Sequence, residues 1–308
     1  PSAPSIAGFT ASGTASIPAQ TLTNSSSTPG YVTYAITPNA ASGSCPAASR
    51  DYVIHVDPVP VMTSAANADV CSGSFFSYTI QSDVAGASFS WDRPLVTGVS
   101  NSAGSGSSPF VEETLFNVTT TSKTVPYNIT ITGPGTAACQ SNAVVMNLTL
   151  HPLPTVDAGT DQTINYGTST TLHGTASGET LPLNYLWSGG LASGANTPDP
   201  TTNILNNNTE FAFQVTDGAN CTQTDFVWVY VTGTALALLP TASPAVICEG
   251  GATQLSANAT GGSGAYNYTW TPATGLNSTT SAAPTASPSV TTTYTVEVND
   301  GFTTMSQT

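Results

Sequence analysis

Leu183-Asn184-Tyr185-Leu186-Trp187 is the stretch from which the fold can be read, because its pattern returns at Tyr266-Asn267-Tyr268-Thr269-Trp270 and at Ala87-Ser88-Phe89-Ser90-Trp91. In each copy the apolar residues fall on alternate positions: Leu183, Tyr185, Trp187; Tyr266, Tyr268, Trp270; Phe89, Trp91. Alternation of this kind gives a short β-strand with one aromatic face and one small polar face. Each strand ends in a tryptophan, and the expected role of Trp91, Trp187 and Trp270 is to fill the middle of a sandwich core.

The flanks repeat too. Downstream of Trp187 a loop rich in Gly, Pro and Asn leads into Phe211-Ala212-Phe213-Gln214-Val215-Thr216-Asp217-Gly218. Downstream of Trp270 a similar loop leads into Tyr294-Thr295-Val296-Glu297-Val298-Asn299-Asp300-Gly301. Leu172 lies 15 residues before Trp187, and Leu255 lies 15 before Trp270. Equal spacing on both sides of the tryptophan argues for one fold used repeatedly.

The rest of the chain extends the count. Residues 1–57 read as the C-terminal part of a sandwich: Ser16 to Asn24 is echoed by Val111 to Asn117, and Val32, Tyr34 and Ile36 alternate as Tyr127, Ile129 and Ile131 do. Residues 58–152 are a whole domain bounded by Pro58-Val59-Pro60 and Pro152-Leu153-Pro154, proline pairs that stiffen a linker. In this domain Asn101 to Ser108 reads as the longest loop. Residues 153–233 form a third domain closing on Val227-Trp228-Val229-Tyr230-Val231, and residues 234–308 a fourth, expected to be truncated at its last strand. The opening residues carry no strand pattern of their own, so the chain is expected to be an internal piece of a longer one.

Composition narrows the class. Helical periodicity is absent, and 27 Gly with 22 Pro interrupt the chain every few residues, so the expectation is all-β: a linear tandem array of β-sandwiches. Charged residues are only 6% of the total, with 17 Asp and Glu against 3 Lys and Arg, a formal net charge of −14. Such a surface repels nucleic acid and anionic membranes. No apolar run reaches the ~18 residues needed to span a bilayer, so no membrane insertion is expected in this segment. Solubility falls to Thr, Ser and Asn, and Thr suits the outer face of a strand by being β-branched and polar at once.

Asp157-Ala158-Gly159-Thr160-Asp161-Gln162-Thr163-Ile164, the Tyr-x-Trp strands, Thr291-Thr292-Thr293-Tyr294-Thr295-Val296 and Asp217-Gly218-Ala219-Asn220-Cys221 resemble the PKD-type immunoglobulin-like repeats of bacterial surface proteins. Residues 16–152 resemble a related PKD-like repeat. The resemblance implies long adhesins exported by type IX secretion, among them SprB-like gliding-motility adhesins. It implies an extracellular, cell-surface stalk or filament for adhesion or gliding, without catalytic residues. Expected partners are a surface polysaccharide or other cell-surface ligand, the outer-membrane secretion or gliding machinery, and other copies bundled into fibres. Two other readings are a carbohydrate-binding module and an accessory repeat array of a secreted hydrolase.

Five cysteines sit at two places in such a repeat. Cys71 and Cys248 lie in the turn before the second strand, and Cys45, Cys139 and Cys221 lie just before the last. An exported chain would oxidise them. One reading bonds Cys71 to Cys139 within a domain. The other staples a junction, Cys71 to Cys221, because the two places belong to opposite poles of an immunoglobulin-like sandwich, a strand length of roughly 20 Å apart, beyond the ~7 Å that a disulfide bridges between α-carbons.

The remaining motifs weigh lightly. Asp157, Asp161 and Asp217, with Asp225 and Asp300, are calcium candidates by their oxygen chemistry, although an Asp-Gly pair commonly caps a turn and no Asp-x-Asp-x-Asp loop is present. His55, His151 and His173 are scattered, and no Cys-x-x-Cys occurs, so a zinc cluster is not indicated. The sequons at Asn117-Val118-Thr119 and Asn147-Leu148-Thr149 are expected by chance in a Thr-rich chain. Trp228 and Tyr230, on a strand apolar on both faces, are the aromatics best placed to meet a ligand.

Overall fold

A computed structural model describes residues 5–38 and 48–308, in two compact units, Pro1–Leu153 and Pro154–Thr308. Every regular element among the described residues is a β-strand. Cys45 lies outside the described residues.

In the first unit, the strand Lys123–Thr132 shows why the sequence folds as a sandwich. Val125, Tyr127, Ile129 and Ile131 alternate along it and are all fully buried, while the residues between them face outward. It pairs antiparallel with Val144–His151 on one side and with Ser88–Arg93 on the other. Asn67–Cys71 joins the far edge of Val144–His151 in parallel, and Gly104–Gly106 joins the far edge of Ser88–Arg93. Phe75–Thr79 and Phe110–Thr114 make the opposing sheet. Phe76, Ile80, Val111 and Leu115 meet Met146, Leu148 and Leu150 in the core between them.

The segment before this sandwich forms a hairpin of Gly30–Ile36 with Arg50–Val56, in register from Gly30 opposite Val56 to Ile36 opposite Arg50. A short ladder of Ile6–Ala7 with Thr23–Asn24 lies beside it. The sequence echo between this segment and the sandwich extends to side-chain contacts at a shift of 93 residues, or 94 between the Val56 and Leu150 carbonyls. Asn24 donates to the carbonyls of Thr28 and Val56 and accepts from Ser26. Asn117 donates to Thr121 and Leu150 and accepts from Thr119. Tyr34 donates to Gln20 as Tyr127 donates to Glu113.

The second unit repeats the plan. Gln162–Asn165, Thr222–Thr232, Thr209–Thr216 and Asn184–Ser188 lie side by side in that order, the first pair parallel and the others antiparallel. Their inner faces bury Trp187, Phe211, Phe213, Val215, Val227 and Val229 with Leu172 and Ala158. A separate core follows: Asn267–Thr271, Thr295–Asn299 and Thr304–Gln307 form one sheet and Thr241–Ser243, Thr253–Ser256 and Thr285–Ala286 another. Leu236, Leu255, Ala257, Trp270, Ala286, Val296 and Val298 lie between them. Leu172, Trp187 and Val215 thus recur, 83 residues on, as the buried Leu255, Trp270 and Val298.

Trp187 and Trp270 are 2% and 3% exposed. Trp187 stacks on Phe213 at 4.5 Å between ring centroids, and Trp270 donates its indole N–H to the Ser281 carbonyl at 2.9 Å. Trp91 departs from the expectation. It is half-buried at the margin of its core and meets Tyr127 edge-on at 5.7 Å, and Tyr127, fully buried, occupies the centre instead.

The stretch expected as the longest loop is a second correction. Gly104–Gly106 within it is an edge strand, with Gly106 opposite Trp91 and Gly104 opposite Arg93. A β-carbon on Gly106 would stand 2.7 Å from the indole, and one on Gly104 would stand 2.7 Å from the Glu113 carboxylate. Glycine weakens a strand in general, but here it allows the close approach that a side chain would block.

Candidate functional site

A polar cluster in the core of the first unit's sandwich joins the five-stranded and two-stranded sheets of that sandwich. Arg93, 3% exposed, donates from Nε to Glu113 Oε2 at 2.8 Å and from Nη2 to Glu113 Oε1 at 3.0 Å, a fork matched to the carboxylate. Nη2 also donates to the Ser102 carbonyl at 2.7 Å. Tyr127 donates its hydroxyl to Glu113 Oε2 in a short hydrogen bond. Arg93 and Tyr127 come from the large sheet and Glu113 from the small one, so the cluster spans the core.

Electrostatics follow from this packing. Burial, then the hydrogen bond and charge of Glu113, push the Tyr127 hydroxyl well above the ordinary phenol range. Burial opposes the charge on Arg93, but Glu113 outweighs it and holds the guanidinium above its ordinary value. The cluster is a clamp within the core, and no local sequence signal marks it beyond the 93-residue shift that relates Gln20 to Glu113 and Tyr34 to Tyr127.

The aspartates turn inward to the backbone. Asp217, 2% exposed, accepts the N–H groups of Ala219 and Cys221 at 2.9 Å each. Asp300 accepts from Phe302 and Thr303 on one oxygen and from Ser263 on the other. The Thr303 N–H first, with those of Phe302 and Ser263, holds the Asp300 carboxyl below the usual range against the opposing effect of burial. Asp157 accepts from Gly159, Asp161 from Trp228 and Asp225 from Ala158. These candidates are not gathered: among the described residues no group of three or more His, Cys, Asp or Glu side chains is arranged to hold a metal ion.

Among the described residues the cysteines divide into two states. Cys71 and Cys221 are disulfide-bonded, whereas Cys139 and Cys248 are free thiols. The expected alternative of a Cys71–Cys139 bond is therefore not formed. Cys139 instead directs its thiol at the Asp57 carbonyl, 4.0 Å away, beside a recess of about 120 Å³ lined by Pro29, Asp57, Pro134 and others. Small-molecule sites typically need roughly 300 Å³ or more.

His151 Nδ1 lies 3.0 Å from the Ser122 hydroxyl, and His173 Nδ1 lies 2.8 Å from an Asp199 oxygen on the exposed surface. The sequon asparagine Asn117 is 9% exposed and spends its amide on two carbonyls, so it is a turn cap.

Outward on the Thr222–Thr232 strand the picture reverses. Phe226, Trp228 and Tyr230 are 55%, 37% and 41% exposed, and the rings of Trp228 and Tyr230 stack 6.0 Å apart at an interplanar angle of 13°. Glu210 lies across from Trp228 and Thr163 across from Tyr230.

Residues 2–60 and 68–154 match the family model of a PKD-like domain. No curated protein matches the chain in sequence. Among solved structures the chain is similar to extracellular domains 3-5 of Drosophila OTK, at 10% identity and a TM-score of 0.26, over 81% of this chain and 94% of that one. It is similar to Drosophila N-cadherin EC1-4 at 10% identity and a TM-score of 0.28, over 91% and 81%. The N-terminal eight Ig domains of Down Syndrome Cell Adhesion Molecule give 10% identity and a TM-score of 0.32, over 91% of this chain and 45% of that one. Likeness at this level carries no weight for function. The strands and their paired sheets make the described residues an all-β series of sandwiches, and residues 2–60 and 68–154 within it match a PKD-like domain.

Proposed function

We propose that this chain is a non-catalytic segment of a long secreted adhesin or filament at the cell surface, serving as a stalk for adhesion or gliding motility. One observation carries the reading: from repeat to repeat the same positions do the same structural work. Asn24 and Asn117 cap one turn, the Gln20–Tyr34 and Glu113–Tyr127 pairs tie one core, and Asp217 and Asp300 close one turn. The buried polar groups are committed to holding sandwiches together, as a series of repeats under tension requires. Oxidised Cys71 and Cys221 fit an oxidising compartment.

On this reading the working partners are the outer-membrane secretion or gliding machinery, a surface ligand, and neighbouring copies in a fibre. The junction staple, Cys71 bonded to Cys221, is part of the same proposal and is supported by the free state of Cys139 and Cys248. Antibodies raised against the segment are expected to decorate intact cells, and external protease is expected to remove the epitope. An antigen reached only after lysis refutes the surface assignment.

A further inference from the structure

We infer that the outer face of the Thr222–Thr232 strand is a binding strip for a neutral polysaccharide, with Trp228 and Tyr230 as stacking platforms for successive sugar rings. The strip is unexplained by folding. The strand in the equivalent place of the first unit, Val144–His151, has the same neighbours, one antiparallel and one parallel, yet turns Val145, Asn147 and Thr149 outward. The fold therefore does not need aromatics there.

Their arrangement suits a flat ligand. Two nearly parallel rings 6.0 Å apart, continued by exposed Phe226, present an apolar ribbon along the strand. The C–H faces of a pyranose bury against such rings, and its hydroxyls need donors and acceptors at the ribbon's edge. Those are present: Glu210 opposite Trp228, Thr163 opposite Tyr230, and Gln214 opposite Thr224. The platform is also rigid, since the strand is paired on both sides and the Trp228 N–H is fixed by Asp161 at 2.9 Å, so little ordering accompanies binding.

Charge selects the ligand class. None of the three Lys and Arg residues of the chain, Arg50, Arg93 and Lys123, lies in the strip, while Glu210 does, which disfavours anionic glycans. Area argues against a protein partner. At typical aromatic side-chain areas the three rings expose roughly 300 Å², well below the ~800 Å² per partner of a stable protein interface.

The test is titration calorimetry of the 308-residue chain with cellohexaose and chitohexaose, with an alginate hexasaccharide as the anionic comparison. Saturable binding of at least one neutral hexamer is expected, weakened about tenfold or more by Trp228→Ala and by Tyr230→Ala. Phe110→Ala, which removes an exposed ring of the first unit, is expected to leave it unchanged. Failure of both neutral hexamers to bind overturns the inference, as does binding that survives Trp228→Ala or a preference for alginate. So does sedimentation showing that the strip mediates self-association, lost in Trp228→Ala, with no glycan bound. Both aromatic positions are exposed, and an unchanged thermal melt of each variant separates lost binding from lost fold.

Discussion

Replacing Glu113 by glutamine is the most informative perturbation of the first unit, because it removes a charge and almost no volume. Arg93 is 3% exposed and has two nitrogens committed to the carboxylate at 2.8 and 3.0 Å. Its Nη1 already lacks a partner. With a neutral amide opposite, the guanidinium keeps only the Ser102 carbonyl as a strong acceptor, and Tyr127 loses a charged one. Leaving a buried charge unpaired typically costs about 3–5 kcal/mol. Arg93→Met should cost less, about 2 kcal/mol, since Glu113 at 18% side-chain exposure can still reach water and keeps Tyr127. The double variant is expected to cost less than the sum, because neither charge is then stranded. Native-state hydrogen exchange read on peptides from Lys123–Thr132 measures the loss, with peptides from residues 154–308 as the internal reference. A loss below about 1 kcal/mol for Glu113→Gln, or strict additivity, would refute the view that the cluster clamps the two sheets.

Three further expectations are open to direct measurement. Trp187→Ala should destabilise its sandwich by about 3–5 kcal/mol and Trp228→Ala by no more than about 0.5 kcal/mol, as chemical denaturation will show; equal effects would overturn the inward and outward assignments. On the pH axis the signs are opposite at the two ends. Tyr127 has its pKa raised above the unfolded value of 10.0, so its contribution is complete below pH 10 and declines as pH rises beyond it. Asp300 has its pKa lowered from 3.8, so its contribution is complete above that value and declines as pH falls through the depressed one. Tyr127→Phe and Asp300→Asn should flatten the alkaline and acid limbs of the melting curve respectively. Peptide mapping without reduction is expected to return Cys71 joined to Cys221, with Cys139 and Cys248 alkylated; a Cys71–Cys139 peptide would refute the staple.

The sandwich plan was legible wherever period-two alternation met a fixed spacing. Trp187 and Trp270 could be placed in cores because Leu172 and Leu255 stood at the same distance from them. Trp91 shared the alternation but not the position. What displaced it was Tyr127, 36 residues away, whose hydroxyl has the Glu113 carboxylate to reach. Glycine and serine at Asn101 to Ser108 read as loop by propensity, yet tertiary contact with the indole and the ion pair selected a strand. The Arg93–Glu113–Tyr127 cluster was invisible locally because its members come from three strands and two sheets. Its trace lay in the 93-residue shift pairing Gln20 with Glu113 and Tyr34 with Tyr127. The exposed aromatics were flagged by a strand apolar on both faces, though only the ring geometry separates a platform from a core.

Mechanical unfolding of single molecules under reducing conditions tests most directly whether successive sandwiches carry load independently. Stretching the chain should give at least three separate force peaks for residues 58–152, 153–233 and 234–308. At ~3.6 Å per residue each peak should release about 25–35 nm of chain. A single rupture releasing all of these residues together, or smooth extension without peaks, would contradict the account.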